Sequence, residues 1–280
     1  MTEALREKLE KLKENIRKRE SLVVAFSGGV DSSFLIKVAH DVLGDKVLGI
    51  TARSATYPER EFKEAVSFAQ VYGIPHLVIV SEELEVEGFS KNPTNRCYLC
   101  KHELFTKINA LAVEKGYAFV AEGSNKDDLG DFRPGLQAVK ELEVISPLRE
   151  ADLTKDDIRE LSREMGLKTW SKPSFACLSS RFPYGETITK EKLEMVDQAE
   201  QFLLDSGFKQ VRVRHHGKIA RIEVYEEEIN LFLDAEKRKS INDAFKKIGF
   251  SYTTLDLKGY RTGSMNEVIN VAALKEEKLS

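Results

Sequence analysis

The sequence has little cysteine. Its 280 residues hold three, Cys97, Cys100 and Cys177, an odd number that argues against a disulfide framework. Such a set points to a metal site or a reactive thiol in a reducing compartment. Long apolar runs are also absent, and nothing approaches the roughly 20 residues of a membrane-spanning helix. Nor is there an excess of one charge: 43 basic residues face 46 acidic ones, a net charge of -3, which excludes coating nucleic acid by charge alone. The opening stretch, Met1 to Glu7, is polar and acidic rather than apolar, so no secretory signal is expected and the location reads as cytoplasmic. There is no internal repeat and no low-complexity tract. What remains is a chain whose 41% hydrophobic residues can fill a sizeable core.

Leu5, Leu9, Leu12 and Ile16 share one face of an amphipathic helix. Leu22 to Phe26 is a short continuous apolar run, as a buried parallel strand requires. A helical period follows through Leu43. Further strands are predicted over Lys46–Thr51, Leu77–Val80 and Tyr117–Ala121, with a short fifth at Val144-Ile145. Between them lie helices over Glu59–Tyr72, Leu99–Lys115 and Thr154–Met165, the last capped by Thr154. This alternation predicts an α/β fold, a parallel sheet with helices on both faces. The pattern changes near Phe182-Pro183-Tyr184-Gly185. Beyond it come a helix over Thr189–Ser206, strands over Gln210–His215 and Lys218–Tyr225, a charged helical stretch over Glu226–Ile248 and a strand over Ser251–Leu257. Two domains are therefore expected: 1–184, and a smaller α+β domain over 185–280.

The chemistry begins at Ser27-Gly28-Gly29-Val30-Asp31-Ser32-Ser33, where the first strand meets a helix. Backbone N–H groups at such a junction, aided by the helix dipole, suit an anion. Gly28 and Gly29 admit it closely, and Ser27, Ser32 and Ser33 add hydroxyls. A carboxylate at Asp31 repels bare phosphate but makes sense as a Mg²⁺ ligand or a helix cap. Neither G-x-x-x-x-G-K-[ST] nor G-x-G-x-x-G is present here. The loop resembles that of the PP-loop ATP pyrophosphatases, whose adenine nucleotide alpha hydrolase-like fold binds ATP and splits it into AMP and pyrophosphate. Four further segments narrow the resemblance: Arg96-Cys97-Tyr98-Leu99-Cys100-Lys101, Glu122-Gly123-Ser124-Asn125-Lys126-Asp127-Asp128, Asp131-Phe132-Arg133-Pro134-Gly135, and Pro173 through Arg181 around Cys177. Together they resemble LarE, the sulfur transferase of nickel-pincer nucleotide synthesis, over about residues 5 to 270.

Thr51 and Arg53 end the second strand as candidates for the adenine pocket. Asn125 and Asp128 follow the fourth strand at the edge where open α/β sheets bind ligands, and Arg133 is a candidate phosphate partner. Cys97 and Cys100 form a C-x-x-C that Cys177 can join. On residue type alone this is a packed thiol set, a zinc site short of its fourth ligand, or three ligands of a 4Fe-4S cluster. The resemblance implies the last. One LarE branch, with only the counterpart of Cys177, gives up that sulfur and keeps dehydroalanine; chains with three cysteines resemble the cluster-dependent branch. In the second domain Arg212 and Arg214, and Arg221 and Glu223, each lie two apart on a predicted strand and so share a face. That is a wet sheet face or a phosphate site. The resemblance implies the second, for a pyridinium dicarboxylate mononucleotide, with Glu200, Ser180 and Arg181 in the same region. The implied reaction adenylylates a carboxylate with Mg-ATP, and sulfur from Cys177 or from sulfide then displaces AMP. The implied assembly is a homo-oligomer, with a hexamer among the candidates, and no nucleic acid. A PP-loop tRNA thiolase is the alternative.

Overall fold

The computed structural model describes residues 2–130, 134–173, 176–261 and 263–266. The chain forms two compact units, Met1–Phe89 with Thr94–Phe175, and Ser90–Pro93 with Ala176–Ser280.

In the first unit, α1 (Glu3–Arg17) starts at Thr2, whose side chain accepts from Leu5 N, and buries Leu5, Leu9, Leu12 and Ile16. It is followed by β1 (Leu22–Ala25), α2 (Val30–Leu43), β2 (Val47–Arg53), α3 (Glu59–Val71), β3 (His76–Val80), α4 (Arg96–Glu114), β4 (Phe119–Ala121), α5 (Gly135–Glu141), α6 (Pro147–Glu150) and α7 (Lys155–Glu164). The sheet order is β3-β2-β1-β4, with every pairing parallel. Alternation along β1 divides its residues between two cores. Leu22 and Val24 join Leu12, Phe34 and Ile158 on one side, while Val23 joins Leu48, Phe105, Ile108 and Val120 on the other. Helices thus cover both faces, as the continuous apolar run implied. Strand order reverses at β1, so the loop after it lies at the topological switch point where such sheets bind ligands.

Val144-Ile145 does not become a fifth strand. Ile145 makes one isolated parallel bridge with Ala121, because Pro147 starts α6 two residues later. In α7 the Thr154 hydroxyl accepts from Asp157 N while the Asp157 carboxylate accepts from Thr154 N, a complete capping box.

In the second unit, α8 (Lys190–Asp205) is capped by Thr189. The strands β5 (Val211–His216) and β6 (Ile219–Val224) pair antiparallel, and β7 (Tyr252–Leu255) pairs parallel to β6. Val211, Val213, Ile222 and Val224 pack on Leu203 of α8 and on Phe245 of α9 (Ala235–Ile248). The mostly helical, charged stretch expected over 226–248 is present as two pieces, a 3₁₀ segment over Glu226–Leu233 and then α9. Asp234 then caps α9, its carboxylate accepting from Lys237 N, so a new helix begins there. Residues 176–184, read from the sequence as the end of the first domain, lie in the second unit. Arg181 of this segment is ion-paired to Glu200 of α8. Among the described residues no helix is long and apolar enough to cross a membrane.

Candidate active site

The glycine loop leaves β1 at the switch point and opens α2, with Gly29 as the N-cap and no side-chain cap. Gly28 has φ +61, and a Cβ there would lie 2.9 Å from Ala65 Cβ of α3. A glycine is therefore required on two counts, backbone conformation and space. The Tyr57 hydroxyl donates to Ser27 O (2.8 Å) and Lys172 Nζ to Gly28 O (3.2 Å). Burial, and then Glu61 and Glu64, push the Tyr57 hydroxyl well above its ordinary range, so it stays a donor. These contacts engage two of the loop's carbonyls and leave its N–H groups out of that bonding. Gly28→Ala is expected to lower affinity for an ATP analogue about fivefold to a hundredfold, the scale of a φ > 0 and close-contact penalty of 1–3 kcal/mol. Isothermal titration with a non-cleavable ATP analogue reads this directly, and unchanged affinity would remove the loop from the ATP site.

The hydroxyls of the loop are partly occupied by one another. Ser32 Oγ accepts from Ser27 N (3.3 Å) and lies 3.1 Å from Ser27 Oγ. Ser33 Oγ is fully buried and has no hydrogen-bond partner among the described residues. Asp31, in the first turn of α2, is ion-paired to Lys155 Nζ and accepts from Asn125 Nδ2 (3.5 Å). Asp128 is buried and accepts from Asn125 N (2.9 Å), which folds the loop after β4. Asn125 and Asp31 are thus brought together, and Asp128 holds the Asn125 backbone. Thr51 is buried and gives its hydroxyl to Phe26 O (2.7 Å), with His76 Nε2 at 2.8 Å, so it ties β2 to the exit of β1. Burial lowers the His76 pKa, which favours the neutral ring at this contact. Arg53 is exposed, paired with Glu59 (3.1 Å) and placed over the Phe62 ring. Arg133 lies outside the described residues.

Glu122 was quoted only as part of a motif, yet it organises the end of β4. Its carboxylate is buried and accepts from Ser124 N (3.1 Å), Ser124 Oγ (2.7 Å) and Ser146 Oγ (2.7 Å). Lys101 Nζ of α4 lies 3.4 Å away. Burial alone would raise its pKa; Lys101 and the serine donors outweigh this and hold it below the ordinary carboxylate range. The sequence signal was a carboxylate directly after the apolar run Phe119-Val120-Ala121.

Helix α4 starts at Arg96, three residues before the expected Leu99, so Cys97 and Cys100 are both helical. Residues three apart on a helix share a face, and two thiols there suit one metal ion in donor type. Cys97 is exposed and Cys100 half-buried, and neither is in a disulfide. Cys177 belongs to the second unit. Among the described residues no group of three or more His, Cys, Asp or Glu side chains is placed to hold a metal ion.

Cys177 heads the short 3₁₀ turn Leu178–Arg181. Its carbonyl accepts from Ser180 N (3.1 Å), Ser180 Oγ (2.9 Å) and Arg181 NH1 (2.9 Å). Arg181 also donates to Ala176 O (2.6 Å) and grips Glu200 with two bonds of 2.8 and 3.0 Å. Both charged side chains are wholly buried. Burial pulls the Arg181 pKa down, but Glu200 more than reverses this and keeps it raised. Arg181 thus supports the backbone at Cys177.

The β5–β6 register sets Arg212 opposite Glu223 and Arg214 opposite Arg221, which gathers all four on one face. That face is buried at Arg212, Arg214 and Glu223, not wet. Arg214 donates to Ser180 O (3.1 Å), Ser264 Oγ (2.9 Å) and Glu223 (2.6 Å). Arg221 bridges Glu223 (3.3 Å) and Asp256 (2.6 Å). Arg212 lies 5.2 Å over the Tyr260 ring. Burial first, and then the charge of Arg181, depress its pKa to about 10. Crowded cations with a depressed pKa favour an added anion. Ser264, Asp256, Tyr260, Lys155 and Lys172 carried no sequence signal of their own, being common residue types whose partners are distant in the chain.

A family profile described as NAD synthase matches residues 2–109. A pyridinium-3,5-bisthiocarboxylic acid mononucleotide synthase from Lactiplantibacillus plantarum is 40% identical over 256 residues, 91% of this chain and 92% of that protein. An uncharacterized protein of Synechocystis is 44% identical over 95% of this chain and 99% of its own length. Another, from Methanocaldococcus jannaschii, is 30% identical over 91% and 98% respectively.

Proposed function

This chain belongs to the LarE family of ATP-dependent sulfur-transferring enzymes, and on that premise we propose that it makes the thiocarboxylates of the nickel-pincer nucleotide. Its substrate is pyridinium-3,5-biscarboxylate mononucleotide. The observation that carries this reading is one network. The turn headed by Cys177 is held by Arg181, and the same turn's Ser180 carbonyl is held by Arg214. A sulfur-bearing residue therefore shares its scaffold with a buried arginine cluster that suits a substrate phosphate.

A substrate carboxylate oxygen bonds to the α-phosphorus of ATP, the bond to the β-phosphate oxygen breaks, and pyrophosphate leaves. The loop Ser27–Ser33 orients the phosphates and offers helix-terminal N–H groups to the developing charge. Asp31, a hard carboxylate at the loop, is the residue that would hold Mg²⁺, which supplies charge neutralisation as pyrophosphate departs. Sulfur then bonds to the acyl carbon and AMP leaves; two rounds convert both carboxylates. Arg212 and Arg214 hold the substrate phosphate, and Arg221 and Glu223 set their positions. Cys97, Cys100 and Cys177 would hold a 4Fe-4S cluster, whose chemistry there is to retain external sulfide for transfer. Their thiols fit in kind, and the C-x-x-C pair starts a helix whose N-terminus favours anionic sulfur. The enzyme works in the cytoplasm as a homo-oligomer without nucleic acid.

Anaerobic reconstitution is expected to bind about four iron per chain, and Cys100→Ala to lose them. Intact mass after turnover is expected to be unchanged. Iron near zero overturns the cluster, and conversion of Cys177 to dehydroalanine assigns the sulfur to the protein itself.

A further inference from the structure

Asp31 and three other residues of the first unit close a ring of hydrogen bonds. Lys155 Nζ donates to Asp31 Oδ2, and Asn125 Nδ2 donates to Asp31 Oδ1 (3.5 Å). Asn125 Oδ1 accepts from Asp127 N (2.9 Å), and Asp127 Oδ2 accepts from Lys155 N (2.8 Å). The ring joins the start of α2, the loop after β4 and the start of α7. Its members differ in how firmly they are held. The backbone of Lys155 is fixed by Asp127 and by the capping box of the helix it begins. Its ammonium sits at the end of a four-carbon stem, with side-chain exposures of 30% for Lys155 and 22% for Asp31. An ion pair with that much solvent contributes little net stability and is readily exchanged. A polyphosphate at the loop offers lysine several anionic oxygens in place of one carboxylate, and lysine swings to meet them as a compact charge.

We propose that Lys155 is a phosphate-binding residue that exchanges Asp31 for ATP. In the nucleotide-free protein its ammonium occupies the carboxylate and stands in for a cation. When ATP binds, Lys155 moves to the polyphosphate and releases Asp31 for the divalent ion. Metal binding at Asp31 thereby becomes conditional on nucleotide. This rests on the assignment of Asp31 as the metal ligand.

The test measures bound Mn²⁺ by electron paramagnetic resonance, with and without α,β-methylene-ATP, which cannot be cut at the scissile position. Wild type is expected to bind Mn²⁺ weakly alone and tightly with the analogue. Lys155→Met is expected to bind Mn²⁺ alone about tenfold more tightly than wild type, because the competing ammonium is gone. Its affinity for the analogue is expected to fall about tenfold to a hundredfold, the range of a charge-assisted hydrogen bond. Lys155→Arg restores analogue affinity and shows that the fold is intact. Equal Mn²⁺ affinity of Lys155→Met and wild type without nucleotide overturns the exchange. Analogue-dependent Mn²⁺ binding that survives in Asp31→Asn overturns instead the metal assignment on which the exchange rests.

Discussion

Arg181→Met is expected to destabilise the second unit by roughly 3–5 kcal/mol, the cost of breaking a buried pair from one side. Arg181 and Glu200 have no solvent exposure, and two parallel bonds join them. Methionine fills most of the volume but takes from the buried Glu200 carboxylate the guanidinium that grips it with two bonds, where burying charge is costly. It also removes the Arg181 donor from Ala176 O and from Cys177 O. Glu200 further accepts from Val213 N of β5 (3.0 Å), so the loss spreads into the sheet. Urea unfolding followed by circular dichroism measures the change. Adding Glu200→Gln removes that buried charge while keeping an acceptor for Val213 N, and is expected to recover a substantial part. A single variant within about 1 kcal/mol of wild type, the level of a surface pair, would mean that the arginine does not support the Cys177 turn.

Cys177→Ala is expected to abolish thiocarboxylate formation, by at least about a thousandfold, because it removes one of the three thiols proposed to hold the sulfide-retaining cluster, while AMP-forming cleavage of ATP persists. The two halves separate because the loop Ser27–Ser33 and Cys177 belong to different compact units. The turn survives the substitution, since its hydrogen bonds use the Cys177 carbonyl and not the thiol. Product mass and AMP release are measured in one assay. Undiminished thiocarboxylate would take sulfur transfer away from this residue; simultaneous loss of AMP release would mean that adenylylation depends on it as well.

The parallel sheet was legible because each strand declares itself locally. Four or five apolar residues at Leu22–Phe26 followed by a helical period allow little else, and the glycines of the loop stand where chain geometry demands them. The C-x-x-C was legible as a motif, since its spacing is local to a single turn. Val144-Ile145 misled for the same reason: a short apolar run has no register of its own, and Pro147 began a helix before a strand could form. The mostly helical character of 226–248 was legible from its helix formers, whereas the point where the α-helix begins depends on the cap at Asp234.

The sequence by itself determined the fold class, the glycine loop at the strand–helix junction and the C-x-x-C pair, because periodicity, glycine conformation and thiol spacing act over a few neighbouring positions. Tertiary structure alone decided how the charged residues are used. Arg181 became a support once Glu200 lay against it, Asp31 met a lysine 124 positions away, and Arg212 and Arg214 turned from a candidate wet face into a buried one. A charged side chain reads the same in sequence whether it faces water or a partner. Its pKa and its role follow from desolvation and from which opposite charge the fold brings within reach, and both are long-range outcomes of packing.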